Sequence, residues 1–565
     1  MNSSTVERFL ARSVGIGALL TTILVYTSVS DPVNVPKMVV LATLAFGAFG
    51  LLVFSFKSRL FSEDKLLVIG IVLFLFTSIF AVSQSASPFN QNFFGTYGRN
   101  TGLLTYLSLI LLMFVVTKFQ KIENFRFLLW TLLAAGFVNV AYCFWVVLFG
   151  DFIGWSNPYG NILGTLGNPN FIGAFLGMFI SVYVAYLINP GTKNIYRAIG
   201  ALVLVVALIE VNASNAVQGV VVSAGGVAMV GFLYLRSRFK GNLIPSLYAG
   251  AIALFGSVAV LGALQIGPLT DLIYKTSVSL RGEYWQAAIN MARLNPLSGV
   301  GMDSYGDWYR RARDAQAMIL PGPSVVTNAA HNVPLDLLAY GGIPLFISFL
   351  ILFSLSAISV VRIIFCKREY DWVGVGLVVG WTCYHVQSII SINQIGLAIW
   401  GWIFNGAVIA YERATRTSDQ QNLESPIKNK KVLKPSSQVI SPQLVFGLTG
   451  VIGFVLAFPA FNSDYQYRKA LTASQAPAVQ KALEPSFMTP TNSRFLAEAA
   501  GLFENSKLPD LAHKYALEGV AYNPDYFDAW RTLYGITSST AEEKVESKKN
   551  LIRLDPLNQE WKNLP

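Results

Sequence analysis

The chain has 565 residues, 53% of them hydrophobic and only 13% charged, and its mean hydropathy is positive. So few charges cannot cover the surface of a soluble protein of this size, which excludes a water-soluble globular chain and leaves a lipid-exposed one. The net charge of +11 would suit a polyanion, but the charges are placed as a topology signal, which argues against nucleic acid as a partner.

A helix that crosses a bilayer needs roughly 20 mostly apolar residues, because lipid cannot satisfy backbone polar groups. Stretches of this kind run at about 10–29, 36–56, 65–82, 102–117, 127–149, 170–188, 196–213, 218–235, 244–264, 335–361, 372–391, 395–411 and 442–461. They predict an all-α fold, a polytopic membrane bundle of about thirteen transmembrane helices. The first stretch is too long and lacks a small-residue cleavage site, so it reads as a retained span. Alternate short loops carry the cations: Lys57, Arg59 and Lys65; Lys118, Lys121 and Arg126; Lys193 and Arg197; Arg236, Arg238 and Lys240; Arg362, Lys367 and Arg368. Cations resist translocation, so these loops and the amino terminus are predicted to be cytoplasmic in a multi-pass inner (plasma) membrane protein. The intervening loops are nearly free of Lys and Arg, with Arg99 the exception.

This orientation places four larger segments outside: 83–101, 150–169, 265–334 and the tail from 462. Residues 1–411 then form a membrane domain that includes the 265–334 loop. The polar stretch 412–441, with Lys428, Lys430, Lys431 and Lys434, reads as a flexible cytoplasmic linker, and 442–461 as the final span. Residues 462–565 read as a small extracytoplasmic α-helical domain. There, Tyr522-Asn-Pro-Asp525 recurs in altered form as Leu554-Asp-Pro-Leu557, a period that resembles tetratricopeptide repeats.

The 265–334 loop is richest in chemistry, with Arg281, Glu283, Tyr284, Trp285, Asp303, Trp308 and His331. A helix is expected at about 280–293, then a turn through Asn295 and Pro296, a second helix from about Ser304, and His331 at the opening of the next span. Arg281 suits an ion pair with Glu283 or Asp303, or a side chain that snorkels to lipid headgroups. His331 is either a proton acceptor or a helix-start hydrogen-bonding residue. Arg310, Arg311 and Arg313 form a charge run that suits a solvated face or lipid phosphates. His385, inside an apolar span, suits an interhelical hydrogen bond, and His513 reads as a surface residue.

Arg281-Gly-Glu-Tyr-Trp285, followed by Asn295-Pro-Leu-Ser-Gly299-Val-Gly301, resembles the signature of O-antigen ligases and Wzy-type polymerases. His331-Asn-Val-Pro-Leu335 with Gly341-Gly342 is similar to that family's second hallmark, and Gly98-Arg99-Asn-Thr-Gly102 and Leu166-Gly-Asn-Pro-Asn170 fit it too. The resemblance covers roughly 10–411 and implies a GT-C-like, metal-independent, inverting glycosyltransferase that needs no cofactor. Its donor would be an undecaprenyl-pyrophosphate-linked glycan, and its acceptor a lipid, glycan or protein hydroxyl. On this resemblance Arg281 stabilises the leaving pyrophosphate and His331 takes the acceptor proton. Arg99, Gln218, Trp285, Arg310, Arg311 and Asn332 would bind substrate. Where many family members carry an Arg, Ser214-Asn-Ala-Val-Gln218 has none, so Arg99 or an Arg from 310–313 would supply the second cation. The rival class is a transporter, which would carry charges at the bilayer midplane; the charges here cluster at one face. A third reading makes the membrane part an anchor for a tail that binds a protein partner.

Overall fold

A computed structural model of the protein describes residues 3–55, 65–268, 270–274, 276–366, 368–423 and 441–565. Lys57, Arg59, Lys367, Lys428, Lys430, Lys431 and Lys434 lie outside these. Among the described residues the fold is helical, with only an isolated bridge between Ser486 and Thr489 in extended pairing.

Each expected span is a helix. Ten are long and apolar enough to cross a bilayer by length and composition: Asn34–Ser55, Lys65–Gln84, Ile122–Phe149, Pro169–Leu187, Asn194–Ala213, Val217–Arg238, Leu243–Ala263, Val333–Cys366, Ile395–Arg416 and Pro442–Thr472. The others fall short for visible reasons. Ser3–Ile23 carries Glu7, Arg8 and Arg12 in its first half. Leu103–Val116 and Trp372–Ser388 have 14 and 17 residues. The latter stops where residues 389–394 turn through the protein interior. That irregular backbone is tolerated at depth because side chains satisfy it: Asn393 donates to the Tyr106 hydroxyl at 3.1 Å, and Gln394 accepts from Leu397 N at 3.1 Å.

Ile395–Arg416 is the axis of the bundle, 94% buried, whereas Leu243–Ala263 is 6% buried and stands at the rim. Small residues bring helices together where lipid gives no hydrophobic drive. Pro169–Leu187 crosses Val217–Arg238 so closely that a Cβ on Gly219 would lie 2.9 Å from the Gly173 backbone. Pro442–Thr472 packs along Asn34–Ser55, where a Cβ on Gly453 would meet the Ala42 carbonyl at 2.2 Å.

Two boundaries differ from expectation. The axial helix runs on to Leu423, into the stretch read as linker, and 424–440 lies outside the described residues. The last span continues unbroken to Thr472, since Ser463, Asp464 and Tyr467 find burial against the tail and keep the helix worth forming beyond its apolar part. The tail itself folds as Ser493–Asn505, Pro509–Tyr522, Phe527–Gly535 and Ala541–Leu554 around Leu496, Phe503, Ala512, Tyr515 and Leu533.

The tail is fastened to the membrane domain. Arg313 meets Asp555 at 2.6 Å with both side chains fully buried, Arg310 reaches the same carboxylate at 3.3 Å, and Arg311 meets Asp525 at 3.2 Å. Asn90 donates to the Tyr522 hydroxyl at 3.0 Å, and Asn523 to Asp307 at 3.2 Å. The tail and the 265–334 loop therefore share one end of the bundle.

Candidate functional site

At that end, loops and helix ends converge on a solvent-connected cavity of about 570 Å³. Of the residues singled out from the sequence, Arg99, Gln218, Arg281, Arg310 and His331 line it; Trp285, Arg311 and Asn332 do not.

Arg281 and Tyr284 sit one turn apart on the Thr276–Leu294 helix, so they project to the same side. The helix is held from both flanks: the Tyr305 hydroxyl donates to the Tyr284 carbonyl at 2.7 Å, and Asn290 donates to the Ala312 carbonyl at 2.9 Å. Its far end plugs into a break in the next span. Val333–Cys366 is non-helical at Gly341 and Gly342, which frees the carbonyls of Ala339 and Tyr340. Val300 N and Gly301 N take those carbonyls at 2.9 and 3.0 Å, while Ile343 N donates to the Pro296 carbonyl at 2.8 Å. The loop thus pairs the Ala339 and Tyr340 carbonyls and the Ile343 amide at the kink. Gly299 makes this approach at φ +62°, and a Cβ there would lie 2.4 Å from the Ala339 oxygen.

The Arg281 guanidinium points into the cavity with no carboxylate against it among the described residues. The ion pair with Glu283 or Asp303 does not form. Asp303 instead accepts from Thr96 N at 2.8 Å, Thr101 N at 3.1 Å and the Tyr340 hydroxyl at 3.1 Å, and burial still raises its carboxyl to about 6. Its job is to tie the Gly95–Thr101 turn to the kinked span, and that turn carries Arg99. Arg99 donates through Nε to Asn328 at 3.0 Å and, among the described residues, has no carboxylate partner. Two uncompensated cations therefore face one space.

His331 adopts φ +56°, a left-handed conformation costing a β-carbon residue about 1 kcal/mol. The strain turns the chain so that Asn332 can cap Val333–Cys366, accepting from Leu335 N at 3.0 Å, while Ala330 N donates to Asp336 at 2.6 Å. The imidazole lies on Tyr284 with ring centres 5.4 Å apart, and neither ring nitrogen has a hydrogen bond among the described residues. Burial, with added repulsion from Arg99 and Arg281, pushes it down to about 3. It is a neutral imidazole with open nitrogens at physiological pH.

The other side chains have different work. Gln218 donates to the Asn170 carbonyl at 2.6 Å and to Ser391 at 3.3 Å, so its N–H groups bind helix ends together. Arg310 and Arg311 pair with the tail, and Arg311 also stacks 3.9 Å from the Trp308 ring centre. Trp285 packs its ring against the membrane core. His385 meets Asn405 at 3.0 Å, the interhelical bond its setting predicts, and His513 is paired with Glu543 at 2.8 Å. Of the arginines lining the cavity, Arg310 and Arg494 are paired with carboxylates, while Arg99 and Arg281 have none among the described residues.

Several wall residues carry no sequence motif of their own: Tyr159, Asn328, Ser391, and Arg494, Tyr526, Phe527 and Asp528 from the tail.

The family model for O-antigen ligase matches residues 201–350. This stretch is similar to the O-antigen ligase domain. It contains Gln218, Arg281, Tyr284, Arg310 and His331 of the cavity wall. Arg99 and the tail complete the cavity from beyond the O-antigen ligase match. Members of this family are glycosyltransferase-type ligases or polymerases, and ten helices of the chain, among the described residues, are long and apolar enough to cross a membrane. No curated protein matches the chain in a sequence search.

Proposed function

We propose that the protein transfers a glycan from a polyprenyl-pyrophosphate carrier, of the undecaprenyl class, to an acceptor hydroxyl at the outer face of the inner membrane. The observation that carries this reading is the convergence of two uncompensated arginines and a neutral, open imidazole on one cavity at the membrane edge. The pyrophosphate binds Arg281 and Arg99, whose planar forks each suit two phosphate oxygens. His331 accepts the proton of the acceptor hydroxyl as its oxygen forms a bond to the anomeric carbon. The bond from that carbon to the phosphate oxygen breaks, and its electron pair leaves with the pyrophosphate, against the two guanidiniums. A single displacement of this kind inverts the anomeric centre.

The two arginines also set an order. While they are bare they repel an imidazolium, and bound pyrophosphate cancels that repulsion. His331 becomes a stronger base once donor is in place.

The test is transfer in membrane vesicles from a polyprenyl-pyrophosphate-linked glycan, comparing Arg281→Ala and His331→Ala at matched membrane abundance with His513→Ala. Loss in the first two with the third intact is expected. Full activity in both would sink the site assignment, and solute movement without any glycan transfer would favour a transporter.

A further inference from the structure

The residues lining the cavity form two chemically distinct sets, and only one of them suits a pyrophosphate. The membrane domain supplies the open cations Arg99 and Arg281 and the imidazole of His331. Where the lining meets the tail the cations are already matched. Arg310 is paired with Asp555 at 3.3 Å and lies over the Phe527 ring at 4.1 Å, and Arg494 is paired with Glu498 at 2.6 Å and lies over the Tyr97 ring at 4.7 Å. What this side offers is the Tyr526 phenol, with no hydrogen-bond partner among the described residues, and the carboxylate of Asp528, held at 3.0 Å by Arg531 on the surface. The carboxylate of Asp307 lies on the same wall and receives N–H groups from Gln91 at 2.9 Å and Asn523 at 3.2 Å.

A wall of this composition repels a dianion and suits a neutral ligand rich in hydroxyls. An aromatic ring covers the C–H face of a sugar, while carboxylate and phenol oxygens accept or share its hydroxyl hydrogens. The wall is also permanent. The fully buried Arg313–Asp555 pair and the Arg311–Asp525 pair fix the tail to the loop that carries Arg281, so the subsite is formed before anything binds.

We infer that the carboxy-terminal helical domain, through Tyr526 and Asp528, forms the acceptor subsite, and that the acceptor it takes is a glycan rather than a peptide. This rests on the transferase reading above and adds where the second substrate lies. The tail is then a specificity-determining part of the site.

The experiment uses the full chain in vesicles, with a polyprenyl-pyrophosphate-linked glycan as donor and, in parallel, a hydroxyl-bearing oligosaccharide or a serine-rich peptide as acceptor. Tyr526→Ala, Tyr526→Phe and Asp528→Asn are compared with Val545→Ala, an exposed tail position. Stacking of this kind is worth about threefold to tenfold in binding. Tyr526→Ala and Asp528→Asn are expected to raise the oligosaccharide KM by about that factor, leaving the donor KM within about twofold, and Tyr526→Phe isolates the hydroxyl. An unchanged oligosaccharide KM in Tyr526→Ala and Asp528→Asn, a shift in donor KM alone, or use of the peptide in place of the oligosaccharide overturns the inference while the transferase reading stands. A wild-type protein that consumes no donor overturns the transferase reading itself.

Discussion

The bond that fixes the tail can be broken at one atom group, and the cost follows from its burial. Asp555 accepts from Arg313 at 2.6 Å, Arg310 at 3.3 Å and Trp561 Nε1 at 3.0 Å, and neither Asp555 nor Arg313 is exposed. Asp555→Ala leaves the Arg313 guanidinium buried with only the Pro323 carbonyl, 3.0 Å away, to receive a hydrogen bond. Removing one partner of a buried pair costs about 3–5 kcal/mol, because the other charge stays desolvated. Every 1.4 kcal/mol is tenfold, so the undocked tail becomes more populated by about 100-fold or more. Hydrogen exchange of the full-length protein in lipid measures this directly, as faster exchange in Phe527–Gly535 and Ala541–Leu554 with the membrane helices unchanged. The double variant Arg313→Met with Asp555→Leu should recover part of the protection, since the fully buried guanidinium is no longer stranded and only the partly exposed Arg310 loses its acid. An acceleration below about threefold in Asp555→Ala would refute the reasoning and assign the docking to the apolar contacts instead.

Arg281→Lys keeps the charge and loses the fork, so kcat/KM for the donor should fall by about tenfold, less than in Arg281→Ala; equal losses would mean that shape rather than bidentate contact matters. Because the imidazole of His331 is pushed down to about 3, it stays unprotonated as pH falls from 8 to 5, and kcat/KM should hold across that range. A loss centred near 6.5 that disappears in a His331 variant would contradict this. Gly299→Ala puts a Cβ 2.4 Å from the Ala339 oxygen at φ +62° and should cost more than about 2 kcal/mol, read as lost folded protein. Gly282→Ala, where a Cβ meets nothing within 4 Å, is its control.

The spans were legible because lipid imposes a length and a composition that sequence displays directly. The two helices of the 265–334 loop were legible too, from the break at Asn295 and Pro296. Arg281 and His331 could be picked as a pair, but their relation to Arg99 could not. It depends on Asp303 reaching across to Thr96 and Thr101, a contact between distant segments that leaves no local pattern. Gln218 looked available for phosphate because its N–H groups have no visible partner in one dimension; the partners are the carbonyl of Asn170 and the hydroxyl of Ser391. The Arg310–Arg313 run was ambiguous for the same reason. Its carboxylates, Asp525 and Asp555, lie in the tail, and nothing about a charge run says which distant acid will meet it. The tail's share of the cavity wall was the least legible feature, since Tyr526 and Asp528 read as ordinary positions at a helix start.

The origin of that wall gives the chain a built-in safeguard during its synthesis. Tyr526 and Asp528 leave the ribosome after all the helices of the membrane domain, and Asp555, which locks them in place, later still. Until then Arg310, Arg311 and Arg313 stand without their acids and the cavity lacks one side. A nascent or prematurely terminated polypeptide can insert its helices and even assemble the arginines and the imidazole, yet it presents an unfinished chamber. The chamber closes only when Asp525 and Asp555 reach those arginines.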